Sequence, residues 1–294
     1  MRWRARIPPR LPRSARLGAS EAGVNQADVD THTTDSGWAL RFLGVGSAQA
    51  VEFGSSGAVL ERDGAPLLLI DCGPETLTRY QAAYGTAPRA IYITHTHMDH
   101  VGGLERLFYR SYFDAALKGR VRIFAHAALV PYLQARVADY PEVLAEGGAN
   151  FWDAFQLVPV SRGFWHDGVW FDVFPTRHHA PNTSFGLALR GAFVWTGDTR
   201  PIPEMLSLYA AHGEVVAHDC GLVGNPSHSG VDDLDREYPA ELRARLLVYH
   251  YNSEADATAI AARGYRIAQR DSRYALAEPR TPVALPSTES KSHG

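Results

Sequence analysis

Cysteine is scarce in this chain of 294 residues: Cys72 and Cys220 are the only two. Each ends an apolar run, in "LLLIDCG" and "EVVAHDC". A disulfide framework is therefore excluded as the source of stability. Two buried free thiols are the simple reading, and a reducing, cytoplasmic compartment is the default. Lysine is nearly missing as well, since of 29 basic residues only Lys118 and Lys291 are not arginine. The excess reads as coding bias, although guanidinium groups also fork onto phosphate oxygens. With 32 acidic residues the formal net charge is −3, which gives no general affinity for polyanions. No apolar run approaches the ~18 residues that cross a membrane. The first 20 residues hold six arginines, no acid and no apolar stretch, which excludes a secretory signal.

What is present is an ordinary globular composition, 45% hydrophobic and 21% charged, on a chain long enough to bury a sizeable core. "RIPPRLPRSAR" is broken by proline and cannot form one long helix. Residues 1–36 are read as a disordered basic tail, with a transit segment or a misplaced start as alternatives. Residues 277–294 are read as a second disordered tail, which leaves a single domain over 37–276. Within it strands and helices alternate. "WALRFLGVGSA" is a strand entering a glycine turn, and "GAVLERDGAPLLLIDCG" is a hairpin turning at Asp63-Gly64. Pro74 to Tyr84 is helical with proline at an early position. "AIYIT" and "RVRIFA" are strands, and "VGGLERLFYRSYF" and "HAALVPYLQARVADY" are helices. The second half gives strands in "VWFDVFPT", "SFGLALRG", "AFVWTG", "EVVAHDC", "LLVYHY" and "YRIAQRD", with helices in "PIPEMLSLYAA" and "EADATAIAARG".

Thirteen histidines are spread over the chain, and three fall in "THTHMDH", directly after the apolar strand "AIYIT". Its spacing is His95-x-His97-x-Asp99-His100. Imidazoles two apart on an extended turn share a side, and the next pair opens the following helix, so one loop presents two ligand pairs. Imidazole with carboxylate suits zinc, manganese or iron, and satisfying so many such groups without a cation is difficult.

This motif resembles the signature of the metallo-β-lactamase superfamily. The resemblance spans about residues 38–275 and implies an α/β fold, a four-layer α/β/β/α sandwich. It also implies a third histidine, which "FPTRHHAPNTSFGL" offers as His178 or His179. It implies a bridging aspartate and a last histidine, which "FVWTGDTRP" offers as Asp198 and "LLVYHYN" as His250. On that pattern His95, His97 and His178 bind one divalent metal, and Asp99, His100 and His250 bind a second. Asp198 bridges both. Zinc is the first choice and manganese or iron the alternatives. Asp71 resembles the buried aspartate that steadies the histidine loop; by itself it reads equally as a turn or cap residue. The chemistry implied is hydrolysis by a metal-bridging hydroxide, with Asp99 counted in the catalytic set.

"TGDTRP" is similar to ribonuclease Z and related phosphodiesterases, whereas thioester- and lactone-cleaving members set the third histidine in "TPGH". The phosphodiesterase pattern also implies an acid–histidine pair for proton donation. Asp219 in "AHDC" and His228 in "NPSHSGVDDL" match it, with His218 as the alternative partner. Only 19 residues separate His178 from Asp198, too few for the arm with which ribonuclease Z grips transfer RNA. A small-molecule phosphodiester of the cyclic-nucleotide kind is therefore the expected substrate, with neither nucleic acid nor membrane as a partner. Arg177 and Arg200 flank the ligands, either as anion clamps or in surface ion pairs. Residues 108–170 are rich in aromatics, read as outer-helix packing and a homodimer surface, or as an apolar lid over the metals. The lid would keep ester, thioester or lactone hydrolysis in play; an iron-dependent oxidoreductase on the same fold is the remaining alternative.

Overall fold

The hairpin at Asp63-Gly64 forms as its sequence requires. Both residues take left-handed backbone, φ 53° and 75°, the two-residue turn whose twist matches its flanking strands. A computed structural model describes residues 36–139 and 144–280. The expected N-terminal tail up to residue 35, and the C-terminal one from residue 281, lie outside the described residues. Residues 277–280 are described, and Arg280 donates its N–H to Arg190 O at 2.7 Å.

The hairpin belongs to a sheet built from β1 (Trp38–Gly44), β2 (Gly57–Arg62), β3 (Ala65–Ile70), β4 (Ala90–Ile93), β5 (Val121–His126) and β6 (Phe155–Val160). A second sheet holds β7 (Gly163–His166), β8 (Val169–Pro175), β9 (Phe185–Leu189), β10 (Phe193–Trp195), β11 (Val215–Asp219), β12 (Leu246–Tyr249) and β13 (Arg266–Ile267). The last strand, β14 (Arg273–Ala275), returns to the first sheet beside β1, so each sheet has seven strands.

Strands β3 to β6 run parallel, as do β10 to β13. A parallel neighbour requires a crossover, and most crossovers here carry a helix. In the first sheet these are α1 (Thr76–Tyr84), α2 (Met98–Val101), α3 (Leu104–Tyr112) and α4 (Val130–Leu133). In the second they are α5 (Pro203–Tyr209), α6 (Val231–Glu237), α7 (Ala240–Arg243) and α8 (Glu254–Ala262). The result is the four-layer α/β/β/α sandwich. The apolar runs of β4, β10 and β12 are buried throughout, as strands covered on both faces must be. Between the sheets, Trp195 stacks on Tyr249 at 4.4 Å and lies 5.4 Å from Phe42 of β1. Tyr92 of β4 donates its hydroxyl to Gly186 O of β9 at 3.1 Å.

Several elements differ from the sequence reading. The helix expected from Pro74 begins at Thr76. "HAALVPYLQARVADY" breaks into a 3-10 turn at Ala127–Leu129, the short α4 and a wider π turn at Gln134–Ala138. Pro131 has no N–H to continue the first of these. The aromatic-rich stretch supplies two unexpected strands, β6 and β7. Phe164 of β7 stacks on Phe124 of β5 at 4.2 Å, so this aromatic lies in the inter-sheet core instead of under an outer helix. "YRIAQRD" forms only the short β13, and α6 was not expected at all. No helix among the described residues is long and apolar enough to cross a membrane.

Candidate active site

Parallel strands end on the same side, and that side collects the chemistry. Asp71 follows β3, the histidine loop follows β4, Asp198 follows β10, Asp219 ends β11 and His250 follows β12. Asp71 is fully buried in left-handed backbone, φ 60°, its N–H given to Tyr92 O at 2.9 Å. Its Oδ1 accepts the Thr94 N–H at 2.8 Å. Its Oδ2 accepts the Thr94 hydroxyl and His100 Nδ1–H, each at 2.8 Å. With its proton given to Asp71, the Thr94 hydroxyl must accept from His95 Nδ1–H, 3.1 Å away. One carboxylate therefore sets the ring orientation of both histidines and turns each Nε2 to the cavity.

His95 Nε2 and His178 Nε2 both lie 3.1 Å from His97 Nδ1. His178 gives its Nδ1–H to Ser227 O at 3.0 Å, so its Nε2, like that of His95, carries a lone pair. A single proton on His97 cannot satisfy both. Asp198 Oδ2 stands 3.6 Å from His95 Nε2 and 3.9 Å from His178 Nε2. A second group meets on the far side of Asp198. His100 Nε2 is 3.4 Å from both Asp99 Oδ2 and Asp198 Oδ1, and His250 Nε2 is 3.3 Å from Asp198 Oδ2. His250 is itself left-handed, φ 71°, and anchored by its N–H to Val45 O at 2.7 Å.

The two groups are His95, His97, His178, Asp198 and Asp99, His100, Asp198, His250, with ligand atoms within 4.8 Å of one another in each. Buried His100 Nε2, Asp198 Oδ1 and His250 Nε2 have no hydrogen-bond partner. Orphaned buried atoms are costly, and a cation taking these lone pairs removes that cost, so the donor set fits divalent metal. Burial pushes the His95, His97 and His178 imidazoles down, the last to about 4, favouring the neutral form that binds metal. At His100 and His250 burial acts the same way, but the surrounding carboxylates, Asp198 foremost, outweigh it and hold both well above the usual histidine range. Asp198 itself is held well below the carboxylate range: burial opposes this, and His250, His100 and His95 override it. Of the pair left open by the sequence, His178 lies in the cluster. His179 is exposed and left-handed, φ 53°, with Nδ1 2.9 Å from Ser227 Oγ.

Asp219 and His228 meet as well. Asp219 Oδ2 accepts the Thr199 N–H at 2.9 Å and His228 Nδ1–H at 2.8 Å, and its Oδ1 is 3.4 Å from His250 Nδ1. Burial lowers the His228 imidazole, but the hydrogen bond to Asp219 and the charges of Asp219 and Asp198 raise it above the ordinary value. Its ring stacks on His250, 4.8 Å between centroids. Asp198, Asp219, His228 and His250 also form a third overlapping group of metal-compatible atoms. His218 points away, buried, with Nε2 2.8 Å from Tyr238 Oη. Arg177 pairs with Glu204 at 2.9 Å and Arg200 with Asp233 at 3.3 Å, so both are engaged in structural contacts.

A cavity of about 490 Å³ opens over Asp99, Asp198 and His250, and a smaller one of about 230 Å³ lies beyond His228, which lines both. Glu75, Ser55 and Arg136 line the larger cavity and went unnoticed in the sequence, where they sit in stretches without a motif. None of the aromatics of residues 108–170 lines either cavity among the described residues, so an apolar lid is not found there.

Residues 38–274 match the family model described as anti-Pycsar protein Apyc1. The anti-Pycsar protein Apyc1 of Paenibacillus harenae is 29% identical over 227 residues, covering 74% of this chain and 91% of the relative. Among solved structures, the metallo-β-lactamase fold protein YhfI of Bacillus subtilis superposes with TM-score 0.61 at 15% identity, covering 81% of this chain and 98% of that one. A diphosphatase of the PhnP family superposes with TM-score 0.64 at 17% identity, covering 82% and 99%.

Proposed function

The chain belongs to the anti-Pycsar protein Apyc1 family, and from that footing we propose that this metal-dependent hydrolase cleaves a small phosphodiester of the cyclic-nucleotide kind. The observation that carries the reading is the Asp219–His228 pair, 2.8 Å apart, beside the converged histidine–aspartate cluster. His95, His97 and His178 would hold one divalent cation and Asp99, His100 and His250 the other, with Asp198 shared; zinc suits these donors best. When bound, the cations supply an activated water and neutralise charge on the phosphoryl oxygens.

The chain's own residues complete the reaction. Hydrolysis forms one P–O bond from water and breaks one P–O ester bond, and the leaving oxygen needs a proton. His228, oriented by Asp219 and biased toward its charged form, donates it. Arg136 on the cavity wall meets a non-bridging phosphoryl oxygen. A cavity of about 490 Å³ suits a nucleotide-sized ligand. The β9–β10 hairpin fills the interval between His178 and Asp198, which supports a small substrate over a large RNA. Among the described residues no aromatic of residues 108–170 lines the cavity, so nothing there supports the ester and lactone reading.

The test is to strip the protein of metal, restore zinc, and compare kcat/KM for bis(p-nitrophenyl) phosphate with that for p-nitrophenyl acetate. Phosphodiester turnover that vanishes on stripping and returns with two equivalents of zinc is expected. Turnover of the acetate alone would overturn the substrate reading, and saturation at one equivalent would overturn the paired-metal one.

A further inference from the structure

We propose that Glu75 reads the sugar of the substrate, accepting a hydrogen bond from a ribose hydroxyl, so that the site selects ribonucleotides over deoxyribonucleotides. This rests on the phosphodiester reading above and sharpens it to a substrate class.

Glu75 is half-buried just ahead of α1 and lines the larger cavity with Asp99 and Asp198. Its carboxylate is not adrift. The Ser55 hydroxyl donates to Oε2 at 2.7 Å, and the Ser55 N–H donates to the same oxygen at 3.3 Å. No donor among the described residues is bonded to Oε1. The position is close to the reacting centre. A Cβ placed on Gly73 would lie 2.2 Å from Asp99 O and 2.3 Å from Ser55 Cβ, so Ser55 and the Asp99 backbone crowd the same face of a single glycine. A phosphoryl group at the histidine–aspartate cluster therefore carries its sugar past Glu75. The base falls toward the rim, where Val51 and Met98 are 65% and 50% exposed.

A carboxylate beside an anionic substrate is repulsive unless the substrate offers it a proton. Fixing one there with two hydrogen bonds makes sense for a ligand with a donor at that point, and it penalises a ligand without one. The sugar hydroxyl is the donor within that reach.

Glu75→Gln tests this by reversing polarity at constant size. Both Ser55 donors claim the single amide oxygen, which turns the NH₂ group to the cavity, a donor where an acceptor stood. The substrates are a purine and a pyrimidine ribonucleoside 3′,5′-cyclic monophosphate, each with its 2′-deoxy counterpart, on zinc-restored protein. Wild type should favour the ribo form by at least about tenfold in kcat/KM, the order expected for one hydrogen bond to a charged group. Glu75→Gln should lower that ratio for both bases, because a neutral amide N–H to the hydroxyl oxygen replaces the charge-assisted bond from its proton. Ser55→Ala, which keeps the carboxylate but frees it, should give an intermediate ratio. Because the ratio is internal to each protein, partial loss of folded material cancels. Equilibrium binding of slowly hydrolysed phosphorothioate analogues should show the same ribo-to-deoxy ratios.

A wild-type ratio near one, a ratio unchanged in Glu75→Gln, or a preference that follows the base would each overturn the assignment. If bis(p-nitrophenyl) phosphate is cleaved in that case, the phosphodiesterase reading stands and only Glu75 falls. If p-nitrophenyl acetate alone is cleaved, both fall together.

Discussion

At the residue scale, the site depends on who gives a proton to whom. Asp71 takes hydrogen bonds from Thr94 and His100, Thr94 takes one from His95, and Ser227 O takes one from His178. Each link turns an imidazole nitrogen toward the cavity. Asp219 orients His228 in the same way, but that imidazole is biased toward its charged form and is exposed enough to meet substrate, with 24% of its side chain accessible. His228→Ala is accordingly expected to lower kcat by roughly 10²–10⁴-fold on an alkyl phosphodiester, the range for a lost general acid. The loss should be much smaller on bis(p-nitrophenyl) phosphate, whose leaving group needs no proton, and KM should change little. Equal losses on the two substrates, or a raised KM at constant kcat, would make His228 a contact residue instead.

At the element scale, the loop between β3 and α1 matters as much as the histidine loop. Gly73 lets Ser55, Asp99 and the entry to α1 pack without a side chain between them. A methyl group there must displace backbone, the Asp99 carbonyl included. Gly73→Ala should cost roughly 1–3 kcal/mol in stability, as overpacking does, and should depress turnover as well because Asp99 moves. Thermal melting and phosphodiester kinetics on the same preparation check it; full activity with an unshifted Tm would show that the loop yields freely. The segment Ala127–Ala138 illustrates the converse. It has the apolar spacing of one helix but winds as three short pieces, Pro131 accounting for the first junction, and the last piece brings Arg136 to the cavity.

At the scale of the whole molecule, two seven-stranded sheets are joined through a buried aromatic core in which Trp195, Tyr249 and Phe42 meet. Trp195 lies three residues before Asp198, so the strand that enters the core leads directly into the cluster. Trp195→Ala should remove roughly 3–5 kcal/mol, as such truncations do, measured as a fall in the denaturant midpoint. A shift below about 1 kcal/mol would mean that the inter-sheet space refills readily. The sequence alone determined the strand–helix alternation, because hydrophobic period and turn residues are local properties. Its spacing also marked His95, His97, Asp99 and His100 as candidate ligands, and the family resemblance of the motif added Asp198 and His250, each just past an apolar strand. Tertiary structure decided what local pattern cannot encode. His178 was separated from His179 by backbone conformation, as the second residue turns left-handed and out of the cluster. Strands β6 and β7 emerged from an aromatic stretch because its residues fill the space between two sheets, and burial between sheets depends on partners far away in the chain. Glu75, Ser55 and Arg136 reach the cavity from motif-free segments, because the parallel strands and their crossovers return those segments to one end of the sandwich.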